Sequence, residues 1–214
     1  MKRAAEAAAQ GDPDGQIALG RMYEQGDGFP QNFPEAIRWY MKAAAASPRA
    51  KHLVGLMYAN GRGVSRDRDI ALKWIAEAAT GGCAEAQHML GSMYARGKGV
   101  PRDMEKAAAW FRMAAENGDD GAQLIFGLML RDGRGVPRDD IAAYVWISCA
   151  VASRPAGQKR EIAIEALESV ARRLDAERLR EAQVRLLATG PAAGSPGPVA
   201  HAAIDRISGR PVHS

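Results

Sequence analysis

The sequence contains little of what covalently braced or membrane-embedded proteins require. Among 214 residues there are only two cysteines, Cys83 and Cys149, too few for a disulfide framework. No stretch approaches the ~20 consecutive apolar residues needed to cross a bilayer. The first ten residues lack the apolar core of a signal peptide. We therefore expect a cytoplasmic protein, or a periplasmic one if a leader has been removed.

The sequence also lacks recognisable catalytic motifs. It contains no Gly-x-Ser-x-Gly segment, no phosphate-binding P-loop and no His-Glu-x-x-His pair. The net charge of +4 is small and does not by itself indicate a nucleic-acid partner. We expect no enzyme activity, no metal ion and no cofactor.

What the sequence does contain is a repeat. Four glycines recur at intervals of 35, 36 and 36 residues, and four tryptophans keep the same intervals: Gly20, Gly55, Gly91, Gly127 and Trp39, Trp74, Trp110, Trp146. A Gly-x-Gly pair returns in the same register. Because residues of unlike chemistry share one period, the pattern indicates a tandem array.

Each repeat predicts two helices. Apolar residues with helical spacing predict helix A over 84–96 in the third repeat, ended by Gly97, and helix B over 104–116. We expect the glycine inside helix A to let a neighbouring helix approach closely. The helix B pattern Ala-x-x-Trp-x-x-x-Ala predicts an indole ring filling the space between the helices. Predicted N-caps of helix B are Asn32, Asp67, Asp103 and Asp139, and Glu35 completes a capping box with Asn32.

The predicted organisation is an all-α array with distinct ends. Residues 1–11 are predicted to be the remnant of a preceding helix. The four repeats are predicted over 12–46, 49–82, 84–118 and 120–151. Residues 152–190 are predicted to form two capping helices, over 160–174 and 175–189, because a solenoid needs a polar end. Residues 190–214 contain four prolines and four glycines, and this composition predicts a flexible tail over 191–214.

The motifs Leu-Gly-x-x-Tyr, Gly-x-Gly-Val-x-x-Asp and Ala-x-x-Trp-x-x-x-Ala resemble the SEL-one-like repeat (SLR) family, relatives of the tetratricopeptide repeats. The resemblance implies an α/α superhelix, or solenoid, with helix A on the concave side. It also implies a non-catalytic adaptor or scaffold for protein–protein interaction, in bacterial signalling or envelope regulation. The family has no shared catalytic residue to transfer to this chain.

Two surfaces are candidates for partner binding. The first is the concave surface of helix A, where mixed polar and apolar side chains suit a bound peptide or protein. Its predicted residues are Arg21, Glu24, Lys51, His52, Leu56, Gln87, His88, Ser92, Gln123, Leu124, Leu128 and Arg131. His52 and His88 lie at equivalent positions ~8–10 Å apart, too far to share a zinc ion.

The second candidate is a basic edge formed by the loops between the helices. Its residues are Arg62, Arg66, Lys98, Arg102, Arg134 and Arg138. One interpretation is a solvated edge neutralised by neighbouring aspartates. The alternative is a docking edge for an acidic protein segment, another anionic polymer or a glycan. Nucleic acid is disfavoured because no aromatic residues accompany the charges.

Overall fold

A computed structural model describes residues 2–189, and all the regular secondary structure within them is helical. The predicted flexible tail at 191–214 lies outside the described residues. The helices in chain order are α1 (Lys2–Ala9), α2 (Pro13–Gln25), α3 (Phe33–Ala43), α4 (Pro48–Asn60), α5 (Arg68–Thr80), α6 (Ala84–Arg96), α7 (Met104–Glu116), α8 (Asp120–Asp132), α9 (Asp140–Ser153), α10 (Gln158–Ala171) and α11 (Ala176–Thr189). The predicted all-α class is confirmed.

The chain divides into two compact units. Unit 1 comprises residues 1–93 with 97–101, and unit 2 comprises 94–96 with the residues from 102 onward. In unit 1, α2 pairs with α3 and α4 pairs with α5. In unit 2, α8 pairs with α9, and α10 and α11 both pack against α9. Helices α2, α4, α6 and α8 are the A helices of the four repeats, and α3, α5, α7 and α9 are the B helices.

The cap residues determine where the helices begin and end. The side chains of Asn32, Asp67, Asp103 and Asp139 all accept hydrogen bonds from backbone N–H groups in the first turn of helix B, as predicted. At the other end, the glycine after each A helix adopts a left-handed conformation, with φ of +67° at Gly97. The predicted capping box is only half formed. Asn32 accepts from the Glu35 N–H, whereas the Glu35 carboxylate pairs with Arg38 at 2.6 Å.

The glycine inside helix A lies where the paired helices touch. A Cβ atom built on Gly55 would be 2.8 Å from Ile75 Cγ1, and one on Gly127 would be 2.6 Å from Ile147 Cγ1. Both distances are shorter than real carbon–carbon contacts, so a side chain does not fit without displacement. The predicted close approach is therefore present, and the residue that occupies the space is the one following the tryptophan.

This changes the role predicted for tryptophan. The four indole rings are only half-buried, whereas the next residue in helix B is almost completely buried in each repeat: Tyr40, Ile75, Phe111 and Ile147. Trp146 contacts Phe126 edge-on with ring centroids 5.8 Å apart, and Trp74 packs at the margin of the unit 1 core. The prediction that tryptophan fills the centre of each helix pair was wrong by one residue.

The second glycine of the Gly-x-Gly pair lets one repeat pack on the next. A Cβ on Gly63 would collide with the backbone of Phe33, at the start of the preceding B helix. In unit 2, a Cβ on Gly135 would collide in the same way with the backbone of Met104. The loops after α4 and α8 therefore lie directly against the first turn of the preceding B helix.

The C-terminal helices differ slightly from the prediction. Helix α10 begins two residues earlier than expected and ends at Ala171, because the chain turns at 172–174. Asp175 caps α11 by accepting from the backbone N–H groups of Glu177 and Arg178. Along α11, Ala182 and Leu186 are buried while Val184 and Leu187 are exposed. No helix within residues 2–189 has the length and apolar character of a bilayer span.

Candidate protein-binding surface

The predicted helix A surface divides into accessible and buried positions. Nine of the twelve residues are half-buried and available to solvent: Arg21, Glu24, Lys51, Leu56, His88, Ser92, Leu124, Leu128 and Arg131. The other three, His52, Gln87 and Gln123, are buried. A buried side chain offers no contact area to a partner, so only the nine half-buried residues stay candidates, six of them in unit 1 and three in unit 2.

The two buried glutamines connect consecutive helices. The Gln87 amide donates to the carbonyl oxygen of Ala79 at 3.0 Å, in the last turn of α5. At the equivalent position, the Gln123 amide is 3.4 Å from the carbonyl oxygen of Ala115, in the last turn of α7. Carbonyls at helix ends have no partner inside their own helix, and these amides supply a second donor beside the backbone N–H groups of Gly82 and Gly118. The glutamines therefore stabilise the junction between repeats.

His52 is buried in unit 1, with its side chain enclosed between helices. Only 7% of the residue is exposed, and Nδ1 has no hydrogen-bond partner among the described residues. Burial lowers the pKa of His52 from its ordinary value because the charged imidazolium loses hydration. The charge of Glu85 acts in the opposite direction but more weakly. His52 is consequently a neutral core residue in the folded protein at neutral pH.

Some accessible helix A residues already have partners within the chain. Glu24 accepts a hydrogen bond from the Tyr40 hydroxyl at 2.7 Å and forms an ion pair with Arg62 at 3.1 Å. Lys51 pairs with Glu77 at 2.9 Å. Burial, followed by the hydrogen bond to Glu24, raises the pKa of Tyr40, so this tyrosine remains a neutral donor. These pairs join helix A to adjacent elements.

One register position stays accessible in every repeat. It is the residue directly after the helix A glycine, and it is half-buried each time: Arg21, Leu56, Ser92 and Leu128. We call these four residues the A-face column. The preceding position is always glycine because the packing demands it, whereas this position carries a cation, an apolar side chain or a hydroxyl. Leu128 also packs against the margin of the unit 2 core, whereas Arg21 and Ser92 in the same register are chemically unlike it.

All six residues of the predicted basic edge are exposed. In unit 1, Arg62 pairs with Glu24, and the Arg66 Nε donates to the carbonyl oxygen of Ala59 at 3.1 Å. Lys98 and Arg102 take part in no ion pair with any residue between 2 and 189.

In unit 2, the edge residues Arg134 and Arg138 have acidic neighbours. Arg134 lies 3.7 Å from a carboxylate oxygen of Asp132, and Arg138 contacts Asp140 at 2.6 Å. The edge is thus not uniform along the repeats.

The nucleophilic and metal-binding side chains do not assemble into a reactive site in the described part of the chain. Over residues 2–189 no three histidine, cysteine, aspartate or glutamate side chains are grouped as metal ligands. Cys83 and Cys149 are both free and buried. Burial raises the pKa of each thiol to about 11, which leaves very little thiolate at neutral pH.

The structure adds a buried arginine that sequence patterns did not single out. The Arg154 side chain is only 9% exposed and lies on the chain between α9 and α10. Its Nε donates to the Asp120 carboxylate at 2.6 Å, and a second nitrogen donates to the Asp120 carbonyl at 2.9 Å. Arg154 follows the last repeat, outside the repeated pattern, so periodicity gave no indication of its role.

The repeated pattern is shared with known proteins. A family model described as the Sel1 repeat matches residues 13–47, 48–83, 84–119 and 122–153. The crystal structure of a Sel1 repeat protein from Oxalobacter formigenes is similar with a TM-score of 0.71 and 36% sequence identity, covering 78% of this chain and 48% of that one.

A second solved structure is c5321, a protective antigen present in uropathogenic Escherichia coli strains and displaying an SLR fold. Its TM-score is 0.69 at 29% identity, covering 99% of this chain and 43% of that one. The chain therefore spans about half the length of these two proteins. No curated protein matches it by sequence.

Proposed function

Because the chain belongs to the Sel1 repeat family, whose members generally mediate protein–protein interactions, we propose that it is a non-catalytic adaptor that binds another protein through its A helices. The contact residues in this proposal are those of the A-face column, with the neighbouring accessible helix A positions. We further propose that the adaptor acts in bacterial signalling or envelope regulation.

The observation that carries the proposal is the A-face column itself. Leu56 and Leu128 remain partly accessible although apolar side chains of this size stabilise a protein when they are fully buried. Arg21 and Ser92 occupy the same register and add polar contacts. A surface that combines apolar and polar side chains on helices is suited to a helix or an extended peptide laid across it.

The chemistry of the described residues supports a binding role over a catalytic one. Catalysis needs a nucleophile or an acid–base group with a suitable pKa in an accessible position. The two thiols have pKa values of about 11, and His52 is buried with a lowered pKa. Partner binding requires only the accessible surface.

Site-specific photo-crosslinking tests the proposal. A photoreactive amino acid is placed singly at Leu56, Ser92 or Leu128, and as matched controls at Lys73 or Ala109, which are exposed equivalent positions on the B helices. In cells that express the protein at its natural level, we expect a discrete adduct with one partner from the helix A positions and none from the controls. Equal adducts from both sets of positions would contradict the proposed surface.

A further inference from the structure

Arginine side chains from two separate segments of unit 2 gather around two aspartates. We call the following set the arginine cluster: Arg131, Arg134 and Arg138 in the stretch from the end of α8 to the start of α9, and Arg173 after α10. Arg131 contacts Asp132 at 2.7 Å. Arg173 lies 3.7 Å from Asp140 and also donates to the carbonyl oxygen of Arg131 at 3.3 Å. Arg173 therefore links the Arg131–Asp132 ion pair to the Arg138–Asp140 ion pair.

Asp140 is covered, whereas Arg134 and Arg138 face solvent; Asp132 and its partner Arg131 are equally exposed, at 23% each. The Asp140 side chain is 7% exposed, whereas Arg138 and Arg134 are 57% and 69% exposed. The pKa of Asp140 is lowered, first by its hydrogen bonds from Arg138 and further by the charges of Arg173 and Arg178. Asp140 therefore stays ionised beneath the arginines, and the surface seen from outside is positive.

Other nearby carboxylates do not cancel this positive surface. Asp139 and Asp175 accept backbone hydrogen bonds at the N-termini of α9 and α11, where they offset the positive ends of the helix dipoles. Glu168 is paired with a separate residue, Arg172, at 3.8 Å. The four guanidinium groups of the cluster thus share two paired carboxylates, which leaves an excess of positive charge.

The cluster also retains unused hydrogen-bond donors. A guanidinium group carries five N–H donors. Arg138 directs Nε and one terminal nitrogen to Asp140, which leaves the other terminal nitrogen available. Arg134 is 3.7 Å from Asp132, beyond hydrogen-bonding distance, so its donors remain open.

We propose that the arginine cluster is a docking site for an aspartate- or glutamate-rich segment of a partner protein. Guanidinium groups match carboxylates in a two-point geometry, and the Arg138–Asp140 pair already has this geometry inside the cluster. Nucleic acid fits less well because single strands also need aromatic surfaces for base stacking, and no ring contacts these arginines in the part of the chain that the structure describes.

This site differs from both surfaces predicted from the sequence. It includes two residues of the basic edge, Arg134 and Arg138, but it depends on Arg173, which lies beyond the repeats. Apart from Arg131 it is separate from the helix A positions. The inference therefore stands or fails independently of binding at the A-face column.

Fluorescence anisotropy with purified full-length protein at low ionic strength tests the site. The probe is a fluorescein-labelled glutamate-rich peptide, and the comparison peptide has glutamine at every glutamate position. The test variant is Arg134→Glu/Arg173→Glu. The matched control is Lys98→Glu/Arg102→Glu, which changes the charge by the same amount, at loop positions equivalent to Arg134 and Arg138 in the preceding repeat. Circular dichroism verifies that both variants are folded.

We expect the glutamate peptide to bind, the glutamine peptide not to bind, and the test variant to weaken binding by about tenfold or more. The control variant should retain the affinity of the natural protein. Equal losses in both variants would show that only general charge matters and would overturn the site. Tight binding of single-stranded RNA that is lost only in the test variant would also overturn it, because the occupant would then be a nucleic acid.

Discussion

Gly127 lies where α8 meets α9, and changing it to alanine tests how the helix pairs are packed. The added Cβ would be 2.6 Å from Ile147 Cγ1, 3.2 Å from the Ile147 backbone nitrogen and 3.3 Å from the Ala143 carbonyl oxygen. Ile147 is completely buried, so it has no free space into which to move. The change combines a gain in helix propensity with a steric conflict.

The two effects have different magnitudes. Replacing glycine by alanine inside a helix stabilises it by about 1 kcal/mol. Overpacking a core typically costs about 1–3 kcal/mol. We therefore expect Gly127→Ala to destabilise the natural protein by about 1 kcal/mol. In an Ile147→Ala background, which itself costs about 2–5 kcal/mol, the conflict with Cγ1 is absent. There the same glycine change should be stabilising.

Urea denaturation followed by circular dichroism measures the four free energies of unfolding in this double-mutant cycle. We expect a coupling energy of about 1–3 kcal/mol and a reversal of sign for Gly127→Ala between the two backgrounds. The same effect in both backgrounds would refute the close contact between Gly127 and Ile147. A stabilising effect of Gly127→Ala in the natural protein would refute it as well.

Three further predictions concern single residues. Arg154→Met should lower the free energy of unfolding by about 1–2 kcal/mol, because Asp120 loses its partner; an unchanged urea midpoint would contradict that role. At about pH 8, Cys83 and Cys149 should react with iodoacetamide far more slowly in the folded protein than in urea, since their raised pKa keeps them protonated; equal rates would contradict their burial. The lowered pKa of His52 means that the unfolded chain takes up the proton first, so stability should fall as the pH drops below about 6.5. His52→Leu should flatten this part of the pH profile, and a profile of the same steepness would refute the assignment.

The boundaries of the central helices could be predicted from local chemistry. Helices α6 (Ala84–Arg96) and α7 (Met104–Glu116) coincide with the predicted ranges. Gly97 and Asp103 determine this result because a left-handed C-cap and a side-chain N-cap depend on neighbouring residues alone. The resemblance to the SLR family is confirmed, since the Sel1 repeat model matches four segments.

The directions of individual side chains could not be predicted as reliably. A shift of one residue rotates the predicted face of a helix by about 100°. This explains why Gln87 and Gln123 were assigned to the partner surface although they are buried between helices. It also explains why tryptophan was predicted at the position that Ile75 and Ile147 occupy.

Contacts between distant segments lay beyond the reach of the repeat pattern. Arg173 meets Asp140 and Arg131 only because α10 packs against α9 and reaches α8. Arg154 finds Asp120 across 34 positions of sequence. Arg154 and Arg173 have no equivalents within the repeats, so the repeat period could not indicate their partners.

Hydrogen–deuterium exchange tests most directly whether the A helices form the binding surface. The measurement compares the free protein with its complex with a partner identified by crosslinking. If the A helices form this surface, peptides covering α4, α6 and α8 will exchange more slowly when the partner is bound, while peptides covering α5, α7 and α9 will exchange as before. Slower exchange confined to the B helices, or no change in any helix, would contradict the proposal.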